Sequence, residues 1–164
     1  MKRIVLLTVS IILIMCCLSS CIIIPRYHHF EIDTSTVSSI QIYDLCENED
    51  YSSRFLETET PVYEIPKEQT ASFVAELNSI EFSDYIIIVL AAIDPSFNYG
   101  EWTVRINYSD GTYELISNGG YGETYDSNNE RVSGHHWSCD DAEWEAFIGK
   151  YIPAEIYNHH IEIE

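Results

Sequence analysis

Residues 102–117 constrain the fold of this chain most. Trp102, Val104, Ile106 and Tyr108 alternate with Thr103, Arg105 and Asn107; Ser109-Asp110-Gly111 interrupts the pattern, and the chain returns through residues 112–117. Period-two alternation places the apolar set on one face of a strand and the polar set on the other. An Asp-Gly pair between two such runs supplies the positive φ of a tight hairpin turn. Two more turn signals follow, Asn118-Gly119-Gly120 and Asp126-Ser127-Asn128-Asn129. Short strands at 121–125 and 131–137 would extend the hairpin into an antiparallel meander.

The flanking segments set the fold class. Ile40, Ile42 and Cys46 share one face at period two, which predicts a strand over 38–46 with Cys46 turned inward. Residues 47–60 read as an acidic loop, and 62–65 as a short strand. Pro66 suits the first turn of a helix over 67–80, where Phe73, Leu77 and Ile80 fall at helical spacing beside Val74. Residues 85–93 form a continuous apolar run rich in β-branched residues, the pattern of a strand covered on both faces and central in its sheet. Near the C-terminus, Ser138 and Asp141 have capping-box spacing. Trp144, Phe147, Ile148 and Tyr151 then make an apolar helical stripe that Pro153 closes. The order β-β-α-β-β-β-β-β-α predicts a single α+β domain, an antiparallel sheet of about five to seven strands with two helices packed on one face.

The N-terminus carries a different kind of information. Lys2 and Arg3 precede an almost wholly apolar run over 4–18, and Leu18-Ser19-Ser20-Cys21 ends it. The run is shorter than the ~20 residues of a membrane-crossing helix and has the layout of a secretory signal. The tetrapeptide resembles the lipobox of bacterial lipoproteins, an aliphatic residue and two small ones before a cysteine. That resemblance covers only these residues. It implies diacylglyceryl transfer to the Cys21 thiol, cleavage before Cys21 by the lipoprotein signal peptidase, and acylation of the new amine. The chain would then be lipid-anchored at a bacterial cell membrane, with its domain on the extracytoplasmic side. A plain secretory signal would favour a small-x-small site, and an uncleaved anchor is interrupted by Cys21 and Pro25. The expected organisation is a signal peptide over 1–20, a lipidated N-terminus and tether over 21–36, an acidic α+β domain over 37–153 and a tail over 154–164.

Charge narrows the partners. The formal net charge is −19, no acidic residue precedes Glu31, and loss of Lys2 and Arg3 takes it to about −21. Nucleic acid is excluded as an expected partner, because displacing counterions from phosphates needs clustered Lys and Arg. Such a domain is also repelled by anionic headgroups, so the lipid on Cys21 must hold it to the membrane. An extracytoplasmic protein or carbohydrate is the expected partner, and an acidic inhibitor or immunity-type protein that neutralises a basic partner is an alternative.

Few residues point to chemistry. Cys46 and Cys139 are candidates for a disulfide, with two separate buried thiols as the alternative. Histidines occur as the pairs His28-His29, His135-His136 and His159-His160. His135, His136 and Cys139 have ligand types suited to zinc or copper, which would make this a metal-binding lipoprotein. Neighbouring strand residues point to opposite faces, however, so no metal is expected there. A helix N-terminus lowers a thiol pKa, but Asp140 and Asp141 oppose a Cys139 thiolate. The acidic segments Asp44, Glu47, Glu49, Asp50 and Asp126, Asn128, Glu130 offer oxygen ligands without the glycine and glutamate spacing of an EF-hand. GxSxG, HExxH, phosphate-loop and dinucleotide patterns are missing, so the expectation is a non-enzymatic binding module with no cofactor. A small cell-wall-acting enzyme is the alternative. Residues 97–125 mix aromatic and amide side chains, and Tyr99, Trp102 and Tyr121 are the candidates for ligand recognition.

Overall fold

The Asp110-Gly111 turn folds as its sequence requires. Gly111 has φ 88°, its N–H donates to the Tyr108 carbonyl at 3.1 Å, and Asp110 accepts from the backbone and side chain of Thr112. Asn129 takes a positive φ of 65° at the later turn, where the Asp126 carboxylate accepts from the N–H groups of Asn128 and Glu130. Both are Asx-type turns, with the carboxylate replacing a backbone acceptor.

A computed structural model describes residues 22–44, 60–88, 102–118, 122–135 and 137–163. Its strands are β1 (Ile22–His28), β2 (Val37–Asp44), β3 (Tyr63–Glu64), β4 (Phe82–Ile88), β5 (Trp102–Tyr108), β6 (Tyr113–Ser117), β7 (Gly122–Tyr125) and β8 (Arg131–His135). Its helices are α1 (Thr70–Leu77), α2 (Asp141–Tyr151) and α3 (Ala154–Ile163), with a 3-10 turn at Thr34–Thr36. The chain divides into a small unit, 1–26 with 85–94, and a main unit, 27–84 with 95–164. The described part of the small unit is the start of β1 and the end of β4, which pair as a two-stranded sheet.

The main unit carries a six-stranded antiparallel sheet in the order β3-β2-β5-β6-β7-β8. This is the α+β class that the order of strand and helix signals predicts. One sheet face holds Ile40, Ile42, Val104, Ile106 and Ile116, all fully buried. On it pack Phe73, Val74 and Leu77 from α1 and Trp144, Phe147, Ile148 and Tyr151 from α2. Trp144 fixes α2 to the sheet as well as filling the core, since its indole N–H donates to the Trp102 carbonyl at 3.0 Å. Ile156 and Tyr157 of α3 add to the same cluster. A Cβ on Gly149 would lie 3.0 Å from the Tyr157 ring, so glycine there allows α3 its close approach to α2.

Four expectations change. The described part of the apolar run, residues 85–88, does not enter the six-stranded sheet: β4 pairs with β1, and residues 89–93 lie outside the described set. A continuous apolar run has no alternation to fix which neighbour it takes, and Ile22-Ile23-Ile24 offers an equally apolar one. The N-cap of α2 is Asp140, whose side chain accepts from Glu143 N–H at 3.1 Å. Ser138 is occupied in a two-way backbone bridge to Ser83. The segment expected to be tether begins with β1 and buries Phe30 in the core, ahead of Val37 where the sequence pattern starts the domain. The expected tail carries α3.

Helices α1 and α2 are also joined by charge. Glu76 Oε2 accepts from Lys150 Nζ at 2.6 Å and from the Tyr151 hydroxyl at 2.8 Å. Burial alone would raise the Glu76 pKa, but these hydrogen bonds outweigh it and hold the carboxyl below its usual 4.5. A carboxyl lowered in the folded state contributes stability above its unfolded pKa, and that contribution is lost as pH falls through the folded value. Glu76→Gln is therefore expected to flatten the acid limb of stability between about pH 5 and pH 3, with a small effect at neutrality because Lys150 is exposed. Urea midpoints across that range check this. An acid limb identical to that of the unaltered protein would count against the ion pair.

Candidate cavity over the meander

Cross-strand registers show where the apolar face stops. One row runs Ile40, Ile106, Glu114, Thr124, Ser133 across β2 to β8, and the next runs Ile42, Val104, Ile116, Gly122, His135. Side chains in one row share a face. In these two rows the face is aliphatic on β2 and β5, mixed on β6 with Ile116 beside Glu114, and polar or bare on β7 and β8. Helices with apolar stripes cover the first half. Over the second half lies a cavity of about 440 Å³.

Tyr108, Glu114, Ile116, Gly122 and Thr124 floor this cavity, and the segment from His28 to Thr36 lies over it together with Trp137. The His28 ring stacks on Trp137 with centroids 3.7 Å apart, and Phe30 meets both rings edge-on at 5.4 Å. Tyr108 donates its hydroxyl to Glu114 Oε2 at 2.7 Å. Burial, then the charge of Glu114, pushes the Tyr108 pKa well above the usual phenol range, so the hydroxyl stays a donor. No other donor reaches Glu114 among the described residues.

The roof is held by two residues that follow α1. Asn78 grips the Ile32 peptide from both sides: its Oδ1 accepts the Ile32 N–H and its Nδ2 donates to the Ile32 carbonyl, each at 3.0 Å. His29 Nδ1 donates to the Ile80 carbonyl at 3.0 Å. Thr36 then accepts from Ser109 N–H, which ties the far end of the roof to the β5–β6 turn. The carboxylate of Asp33 caps the 3-10 turn between these points.

The opposite sheet face is largely polar and aromatic, and Tyr43, Thr103, Tyr113, Ser117, Glu123 and Tyr125 are buried on it. Tyr113 and Tyr125 stack at 4.7 Å, and the Arg105 guanidinium lies 3.9 Å above the Tyr113 ring. Glu123 is buried, pairs with Arg131 Nε at 2.8 Å and accepts from the Tyr125 hydroxyl at 2.6 Å. Arg131 crosses Gly134, where any Cβ would collide with its guanidinium. Charges paired in this way are satisfied internally.

Of the residues singled out by sequence, Trp102, His135 and Cys139 are among those described. Trp102 is 1% exposed, in the core beside Tyr157, so it presents no ring to a ligand. Tyr99, Tyr121, Cys21, Cys46 and His136 lie outside the described residues. His135 ends β8 opposite Gly122. Cys139 is half-buried against the core. Burial, followed by the charges of Glu143 and Asp141, pushes its thiol up to about 12. Among the described residues no three His, Cys, Asp or Glu side chains gather as a metal would require. Asp126 is engaged by its own turn. The chain matches no protein-family model, no curated protein and no solved structure.

Tyr108 falls within the aromatic segment 97–125, but sequence reasoning passed over Glu114, Trp137 and Asn78. Glu114 did carry a signal, since it occupies the same strand phase as Ile116. A carboxylate at a core-facing position is costly unless something compensates it.

Removing the Asn78 amide leaves both polar groups of the Ile32 peptide without partners. Asn78→Ala is expected to cost on the order of 1–3 kcal/mol and to speed amide exchange at Ile32, read from urea titration and hydrogen exchange. Retained protection at Ile32 would contradict the clamp. For Cys139, the neutral thiol dominates throughout ordinary pH, and reactivity follows the thiolate. Iodoacetamide should modify it much more slowly than a free cysteine at about pH 8 until denaturant is added; rapid labelling of the folded protein would show the thiol to be accessible and ionised.

Proposed function

We propose that this chain is a bacterial envelope lipoprotein, lipidated on Cys21, whose acidic α+β domain faces the extracytoplasmic side and serves as a non-enzymatic binding module. The observation that carries the binding reading is the cavity over β5 to β7. Its volume falls in the range of small-ligand sites, and it combines aromatic walls with a few placed polar groups. Within it the Tyr108 hydroxyl is held protonated as a donor to Glu114. A concave site of this size suits a small molecule, or a group projecting from an extracytoplasmic protein or carbohydrate, better than flat docking.

The anchoring reading rests on Leu18-Ser19-Ser20-Cys21 behind its basic and apolar segments. No helix among the described residues is long and apolar enough to cross a membrane. A net charge near −21 after processing would repel an anionic surface, which leaves attachment to acyl chains. Cys21→Ala should therefore leave an unprocessed precursor or release the protein from the membrane fraction. Fractionation with mass analysis of the N-terminus reads the outcome. Normal processing with full membrane retention would remove the lipoprotein reading.

A further inference from the structure

We propose that the cavity over the meander takes a small soluble organic ammonium ion. This rests on the cavity being the binding site and adds the chemical class of its ligand.

The argument begins with charge. Glu31, Asp33 and Glu114 are among the residues that line the cavity, which holds no Lys or Arg, although the Asp33 carboxylate also caps the 3-10 turn. Glu123 also borders it, but by strand alternation its side chain belongs to the opposite face, where Arg131 neutralises it. Three of the described cations are engaged elsewhere: Arg105 over Tyr113, Arg131 on Glu123 and Lys150 on Glu76. His28 is the one basic side chain at the cavity. The negative charge there thus lacks a lysine or arginine partner within the lining.

Glu114 sharpens the point. It stands half-buried in a register row that begins with Ile40 and Ile106, and Tyr108 is the one donor that reaches it, at Oε2. A half-buried carboxylate with one neutral donor is only partly compensated, and a cation beside Oε1 would offset the remaining cost. Phe30, Tyr108 and Trp137 supply aromatic surface around the same space. Such rings attract an ammonium group through their negative faces and also accommodate its alkyl part. A hard divalent ion fits less well, because it needs several oxygens converging on one point; no such group of three exists among the described residues.

The test compares choline with its neutral carbon isostere, 3,3-dimethylbutan-1-ol, by calorimetry on the purified full-length lipoprotein in a nonionic detergent. Choline is expected to bind at least about tenfold more tightly than the isostere, with the preference shrinking as salt screens the carboxylates. Glu114→Gln keeps an acceptor for Tyr108 and should abolish most of that preference. Glu31→Gln, on an exposed side chain, guards against a folding defect and should reduce it less. Equal binding of both probes would overturn the ammonium proposal while leaving a binding cavity. Binding of neither, or a preference unchanged in both variants, would overturn it as well, and Cys21→Ala tests the lipoprotein reading separately.

Discussion

The fold depends on how far one aliphatic face extends across the sheet. Ile40, Ile42, Val104, Ile106 and Ile116 form a patch spanning β2, β5 and β6, and it must be kept from water. Buried apolar area contributes roughly 25 cal/mol per Å², so the helices that carry apolar stripes settle on that patch. Trp144 fastens one of them by giving its N–H to the strand beneath. Past Ile116 the rows turn to Glu114, Thr124 and Gly122, and a helix stripe would gain little there. A thinner cover, the segment before β2, lies over that half instead. The cavity is thus a by-product of where the aliphatic rows end.

That cover is positioned by polar contacts rather than by packing area alone. Phe30 reaches the core, but Ile32 is placed by the Asn78 amide and His29 by the Ile80 carbonyl. Directional bonds fix where a short segment lies, whereas apolar burial fixes only that it is covered. On the far side of the sheet, the Tyr113–Tyr125 stack and the Glu123–Arg131 pair fix the register of β6 to β8 in a comparable way. A one-residue slip would exchange that network with Glu114 and Thr124.

What the sequence disclosed divides along local and non-local lines. The Asp110-Gly111 hairpin, the later turn at Asp126 and the stripe from Trp144 to Tyr151 depend on neighbours in the chain, and each was legible. Alternation assigns Trp102 and Thr103 to opposite faces but does not say what covers either one; both are buried. Ser138 fits a cap motif, yet a strand over fifty residues earlier claims its backbone. Asn78 shows no pattern at all, because its partner at Ile32 is set by tertiary contact. The cavity was hidden for the same reason. Its floor and the roof segment at 28–36 lie more than seventy residues apart, and Glu114 was the one local irregularity pointing to it.

The clamped roof also has a mechanical meaning. If the chain hangs from a lipid at residue 21, tension enters the main unit along the strand that leads to His28. Beyond the pairing of β1 with β4, the next bonds to bear that load are His29 to Ile80 and the pair between Asn78 and Ile32. A handful of hydrogen bonds loaded one after another yields to less force than a ladder loaded all at once. Pulling on the anchor would peel the roof from its floor before disturbing the helices, so tension and occupancy would oppose each other at one place.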